Sequence, residues 1–555
     1  MHRKSKGSLA YAFAGTSELL VQKVAIMLMI AVLLAMTGCG ENDSADSSTG
    51  ATASTTTLGV SSPSVTYGTS VILTATVTPS AATGTVAFND GSTSIGSGTL
   101  SSGIATLTID SLSVGTHTLT ASYGGSGTYA SSTSSSMTVT VLSSSSGSWS
   151  YNAVCGYGTA AYLLSSGTLS ESGNSYITST NDQSAVCVTG TSTALTLTSP
   201  TITTSGTTSS TDNSSFYGLN AAVLDYNGGD ITINGGAINT TGQGGNDVFS
   251  YGTGTVTISN ATVTASGSGG HGLYAAGGGT MVVNNVTATS SGMSGSIVAT
   301  DKGGGTITIT GGSYSASGQR SAGIYSTGTV KATNATFSAT NAEAVVIEGS
   351  NTCTLTNAIL NSVSGTDEHR GVFLYQSMSG DAENSTCGTG ACFYMTGGSF
   401  TYTDTTSSSS DATENCSAFV AANQVAYFEL TDATVNNSCP TLLLSALNSN
   451  WNYKGGTTTF KAYGETLTGN VIVDSVSTAD IYLYSSTSAA SKLTGAINTA
   501  NSGSTKVALT LDSTSAWVVT ANSYLTALTN ADSTNSNITC QTSGCKVYVG
   551  GIAIN

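Results

Sequence analysis

The sequence predicts an all-β protein, most of it a solenoid in which the chain winds into coils of short strands stacked on copies of themselves. Two observations carry this. From residue 231 a unit recurs as Ile231-Thr-Ile-Asn-Gly-Gly, Val256-Thr-Ile-Ser-Asn-Ala, Met281-Val-Val-Asn-Asn-Val, Ile307-Thr-Ile-Thr-Gly-Gly, Val330-Lys-Ala-Thr-Asn-Ala and Cys353-Thr-Leu-Thr-Asn-Ala, with starts 25, 25, 26, 23 and 23 residues apart. Inside each unit apolar residues alternate with polar ones, and Gly or Asn stands where the chain must bend.

Each unit holds three such runs, so each coil has three faces. After Ile307-Thr-Ile come the Gly311-Gly312 bend, Tyr314-Ser-Ala, a Gly-rich turn and Gly323-Ile-Tyr325. Alternation sends Ile307 and Ile309 inward and Thr308 outward. Two further starts, Phe393-Tyr-Met-Thr-Gly-Gly and Phe428-Glu-Leu-Thr-Asp-Ala, follow at 40 and 35 residues, so the excess leaves as loops within 362–391 and 402–417. Over roughly 185–470 the repeats resemble the right-handed parallel β-helix of the pectin-lyase-like superfamily. The solenoid is expected to fill 151–555. Trp149 to about Ile202 caps and enters it, and strand-like segments such as Ala479-Asp-Ile-Tyr-Leu-Tyr form C-terminal coils similar to those of adhesin-like proteins. An open coil would expose unpaired edge groups, which is why caps are expected.

A different block precedes the solenoid over 55–141. Strand-like alternation in Val71-Ile-Leu-Thr-Ala-Thr-Val, Gly84-Thr-Val-Ala-Phe88, Ile104-Ala-Thr-Leu-Thr-Ile and Gly115-Thr-His-Thr-Leu-Thr-Ala-Ser-Tyr123 is punctuated by turns at Asn89-Asp90-Gly91 and Gly124-Gly125. About seven short strands in this length predict a β-sandwich. The Gly-Thr-Val-x-Phe and Gly-Thr-His-x-Leu-x-Ala-x-Tyr strands resemble bacterial Ig-like domains, which implies a spacer or binding module. The full expectation is an Ig-like β-sandwich followed by a right-handed parallel β-helix. A Ser/Thr/Asp-rich tether over 39–54 and a linker over 142–150 flank the sandwich.

The basic residues are segregated. Arg3, Lys4, Lys6 and Lys23 precede a 13-residue apolar run, Val24 to Met36, and the rest of the chain after Cys39 carries nine basic against 28 acidic residues, a formal charge of −19. That surface argues against nucleic-acid partners. Residues 1–38 form an export signal too short to span a bilayer permanently. Met36-Thr37-Gly38-Cys39 resembles a bacterial lipobox, although that family usually has Leu in place of Met36. The resemblance implies that Cys39 becomes lipid-modified and attaches the chain to the membrane. Gly40 resembles the sorting position of lipoproteins sent outward to the outer membrane or cell surface.

Export makes the other cysteines candidates for disulfides. Cys387 and Cys392, and Cys540 and Cys545, are close enough to close short loops. Cys416 with Cys439 and Cys155 with Cys187 are further candidate pairs, although sequence leaves the connectivity open. Cys353 occupies the inward first position of its strand, where a free thiol serves as a small core hydrophobe.

Chemistry is harder to find. Gly270-His271-Gly272 resembles the Gly-His-Gly of polygalacturonases, but their aspartate set and Arg-x-Lys element have no counterpart here. The densest polar cluster, Asp367-Glu368-His369-Arg370, offers an acid, a base and a cation in an inserted loop, and supplies the catalytic candidates. Tyr274, Tyr314 and Tyr325 form either a sugar-stacking strip or a core ladder. Gly-x-Ser-x-Gly, metal-ligand spacings and phosphate loops are absent from the sequence, so no cofactor or metal is expected. The expected function is a surface-anchored, non-enzymatic, adhesin-like lipoprotein that binds a carbohydrate or another surface protein. The alternative is a polysaccharide lyase or glycoside hydrolase built around Asp367 to Arg370.

Overall fold

The computed structural model describes residues 51–554 except 68, 143–146, 365–368, 378–381, 383–386, 388–389, 405–415, 448–454 and 502–505. The export signal, Cys39 and most of the tether lie outside the described residues, as do Asp367 and Glu368.

From Gly158 onward successive coils place one strand in each of three parallel sheets. One coil runs through Val298–Thr300 in the first sheet, Gly305–Thr310 in the second and Ser313–Ala316 in the third. Among the described residues these sheets have 13, 14 and ten strands. The register keeps like residues in line: Met281, Ile307, Val330, Cys353 and Phe393 stack along the second sheet, and Val283, Ile309, Ala332, Leu355 and Met395 stack two positions on. All ten are buried, whereas Thr308 is exposed. Each fully buried aliphatic side chain contributes about 1.5–3 kcal/mol, so this column is what binds coil to coil.

The bends explain the conserved spacing within each unit. Gly235, Asn260, Asn285, Gly311, Asn334, Asn357, Gly397 and Asp432, at the same place in eight successive coils, all have φ between 50° and 72°. A left-handed conformation costs most residues about 1–2 kcal/mol and is tolerated by Gly, Asn and Asp. At Gly311 an added Cβ would also fall 2.3 Å from the Asn285 Oδ1 of the coil below.

The first sheet departs from simple alternation. Its inward residues, such as Val248, Leu273, Val298 and Ile324, join the main core, but the intervening positions are buried too. Phe249, Tyr274 and Ala299 form one apolar layer on the far face, and Val346, Phe373 and Val420 form another. A short helix, Thr211–Tyr217, starts at Ser210, whose side chain accepts from Asn213 N, and stops at the left-handed Gly218. A Cβ on Gly218 would meet Leu224 Cδ1 at 2.6 Å and the Phe249 ring at 2.9 Å, so the helix end lies directly on that far face.

The linker expected over 142–150 loses both ends to strands. Met137–Leu142 closes the sandwich, and Ser150–Cys155 pairs antiparallel with Gly158–Leu164 to cover the first coil. Disulfides join Cys155 to Cys187, Cys387 to Cys392, Cys416 to Cys439 and Cys540 to Cys545, with Cα separations of 6.6, 5.8, 5.3 and 5.9 Å. Cys353 is free and buried. At the C-terminal end the third sheet stops with Thr434–Asn437, and a separate four-stranded sheet begins at Thr466–Thr468. Pro440 brings no N–H to this region. The Asn437 side-chain amide donates to Cys439 O at 3.0 Å and Thr468 O at 3.3 Å, giving carbonyls a partner where the ladder is interrupted.

The sandwich region has a three-stranded sheet, Thr55–Val60, Val71–Thr78 and Ile104–Ile109, and a second sheet that includes the hairpin Thr85–Asp90 and Thr93–Thr99. Val71, Leu73, Ala75 and Val77 alternate inward, and Tyr123 OH donates to Thr83 O at 2.9 Å.

Candidate functional site

Two residues of the predicted charged cluster, His369 and Arg370, do not stand open to solvent. Arg370 begins the strand Arg370–Tyr375, and its guanidinium reaches back one coil to Glu343, with Nη2 at 2.8 Å and Nε at 2.9 Å from Oε1. Its Cζ lies 4.1 Å from the Phe373 ring centroid. His369 Nδ1 is 3.1 Å from Asp404 Oδ2, and Ser364 Oγ donates to the other Asp404 oxygen. His369 and Arg370 are only 3% and 5% exposed, so the expectation of a solvated loop offering acid, base and cation is corrected for these two. A buried guanidinium is tolerated only with a partner, and Glu343 supplies it. These pairs fasten the flank of the solenoid.

The other sequence candidates also turn inward. His271 stacks on Tyr274 at 4.4 Å and places Nδ1 3.1 Å from Ser296 O; burial lowers its pKa to about 4, which leaves it neutral. It is packed inside and not held in an open turn. Tyr274 OH donates to Asp301 Oδ2 at 2.7 Å, Tyr314 stacks on Phe337 at 5.0 Å, and the hydroxyls of Tyr325, Tyr375 and Ser377 converge on Glu348. Tyr274 and Tyr314 are fully buried, the first in the far-face layer of the first sheet and the second in the main core, and Tyr325 is partly buried against that layer, so the three form neither an exposed strip nor one ladder. Asp404 lies within 4.8 Å of Cys416 and Cys439, but their sulfurs are bonded to each other and present no thiolate to a metal.

A different set of side chains faces out. On the second sheet Tyr394, Glu429, Lys461 and Tyr482 occupy one outward column, with Tyr427 in the column before and Tyr463 and Tyr484 in the column after. All are partly exposed. Tyr394 and Tyr427 have ring centroids 5.5 Å apart, as do Tyr463 and Tyr484, and Tyr482 lies 5.9 Å from Tyr484. Lys461 Nζ bridges the two groups, 5.0 Å from the Tyr427 centroid and 5.8 Å from that of Tyr482. The signal was present in the sequence as Phe393-Tyr-Met, Tyr427-Phe-Glu, Phe460-Lys-Ala-Tyr and Ile481-Tyr-Leu-Tyr, where each inward hydrophobe fixes an outward neighbour.

One residue beyond Tyr463 the chain crosses the bend at Gly464 into the gap left where the third sheet stops. A groove of about 500 Å³ there is lined by Asp432, Thr434, Asn436, Thr466 and Ser488. A neighbouring cavity of about 430 Å³ shares Val435 and Asn436 and adds Thr401, Thr403 and Ser438. Asp432 accepts from the hydroxyls of Ser486 and Ser488. The arrangement offers flat aromatic rings beside a gap lined with amides and hydroxyls.

No curated protein and no solved structure matches the chain. Residues 44–142 match the family model of the bacterial Ig-like domain (group 3), a domain typical of extracellular and surface proteins, which fits an exported chain. The chain thus carries a bacterial Ig-like domain ahead of a long parallel-strand solenoid.

Proposed function

We propose that the protein is a non-enzymatic, adhesin-like lipoprotein displayed at the bacterial cell envelope, anchored through a lipid on Cys39. The Ig-like domain spaces a pectin-lyase-like β-helix away from the membrane, and the solenoid presents its outer faces to a carbohydrate or a surface protein. One observation carries the reading. The ionisable residues best suited to catalysis, His369 and Arg370, are committed to interior pairs with Asp404 and Glu343, while the outward columns are dominated by Thr, Ser, Asn and Tyr with a few charged residues such as Glu429 and Lys461. Labelled palmitate is expected to enter the wild type but not Cys39→Ala, and protease added to intact cells is expected to shave the solenoid from the surface. Equal labelling of both proteins, protection from the protease, or sustained release of reducing ends from a polygalacturonate or alginate polymer defeats the reading.

A further inference from the structure

Resting on that reading, we infer that the outward tyrosine strip and the adjoining groove form a binding site for a neutral polysaccharide lying along the solenoid axis. The path from Tyr394 through Tyr427, Lys461 and Tyr482 to Tyr484 and Tyr463 is continuous, no step exceeding 5.9 Å between neighbouring centroids or between Nζ and a centroid. From Tyr394 to Tyr482 it climbs four successive strands before turning along the last of them to Tyr484 and back one coil to Tyr463, so an extended ligand meets successive coils at intervals of about 4.8 Å. Tyrosine faces accept the C–H faces of sugar rings while burying little of their own polarity, and their few rotatable bonds lower the entropy cost of binding.

Charge selects among sugars. Glu429 and Asp480 are balanced by Lys461 and Lys506 on the same face, and Lys506 Nζ is 2.7 Å from Asp480. Tyr427 OH donates to Glu429. Asp432, the one ionisable group lining the groove, is satisfied by two serine hydroxyls. The strip and groove therefore hold no excess of positive charge, on a chain whose formal charge is −16. A polyanion gains no net attraction here and meets repulsion from the rest of the molecule, whereas a neutral polymer needs only rings to stack on and hydroxyl or amide partners. The groove supplies those partners through Asn436, Thr434, Thr466 and Ser488.

The test uses the exported chain and calorimetric titration with neutral hexasaccharides of β-1,4-linked glucose, xylose, mannose and N-acetylglucosamine, with hexagalacturonate as the charged comparison. At least one neutral hexasaccharide is expected to bind. Tyr482→Ala and Tyr484→Ala are each expected to weaken it about tenfold or more, as central aromatic contacts do. Tyr151→Ala, in the strand that covers the first coil, is expected to leave affinity and melting temperature unchanged. Failure of all four neutral ligands, binding of hexagalacturonate alone, or affinity unaltered in Tyr482→Ala and Tyr484→Ala overturns the assignment. Display is read separately: cells that adhere normally while purified protein binds no neutral sugar refute the sugar site and leave the adhesin reading standing.

Discussion

Arg370 and Glu343, 27 residues apart in sequence, meet across one coil as a buried ion pair whose guanidinium also rests on Phe373. Removing one partner leaves the other charged and desolvated. Glu343→Ala is expected to destabilise the solenoid by about 3–5 kcal/mol, while the double change Glu343→Leu with Arg370→Met recovers most of that loss. Thermal unfolding of the three variants beside the wild type checks this; equal stability of the double variant and Glu343→Ala would show that shape, and not charge, holds the flank.

Ile309 and Thr308 are neighbours in one strand that face opposite environments. Ile309→Asp buries a carboxylate in an apolar column and is expected to cost several kcal/mol, whereas Thr308→Asp stays within about 0.5 kcal/mol. Because each coil is the interface of the next, damage at 309 spreads along the solenoid. Limited proteolysis is expected to liberate an intact fragment of about residues 55–141 from Ile309→Asp only, and equal resistance of both variants contradicts the assigned register.

Two buried carboxyls give the fold a pH dependence. Burial pushes Asp225 up to about 8, partly opposed by Ser250 Oγ donating to it, and pushes Glu465 up to about 7, partly opposed by Ala433 N. Both groups hold their protons more tightly folded than unfolded, where the ordinary values are 3.8 and 4.5. Their contribution is therefore fully present below about pH 4 and is lost as pH rises through 7 and 8. Asp225→Asn and Glu465→Gln are each expected to flatten the decline in melting temperature between pH 5 and pH 8. A slope unchanged in both variants rules these groups out as its source.

Cys353 lies in the inward column between Val330 and Phe393, and burial raises its thiol well above the ordinary range. It is expected to resist thiol-directed reagents in the folded protein and to react after denaturation without reductant. Cys353→Val is expected to cost less than about 1.5 kcal/mol, as a near-isosteric core exchange. Fast modification of Cys353 in the native protein, followed by mass spectrometry, disproves that placement.

The bends were legible in the sequence because a left-handed residue at Asn260 or Gly311 admits few side chains, and the period exposed each one in turn. The far face of the first sheet was not. Its cover at Leu224 and Phe249 comes from Thr211–Tyr217 and Gly218, residues outside the repeating unit, so alternation alone marks Tyr274 as outward. The charged cluster was misread for a related reason: the partners of Arg370 and His369 lie 27 and 35 residues away, and local sequence shows charges without showing what neutralises them. The outward tyrosines were recoverable from alternation beside Phe393, Phe428 and Ile481, because no second layer among the described residues buries them and they stay partly exposed.

The disulfide between Cys416 and Cys439 spans neighbouring coils, next to the paired residues Ser417 and Thr441, while Cys155–Cys187 ties the covering strand to the coil beyond the one it covers. Between Cys187 and Cys416 no disulfide among the described residues crosses from one coil to the next. Tension along the solenoid axis therefore loads the middle coils through packing and backbone pairing alone. Under such a load the middle coils are expected to peel off singly, each releasing about 25 residues or roughly 80–90 Å of slack, while the bonded ends hold.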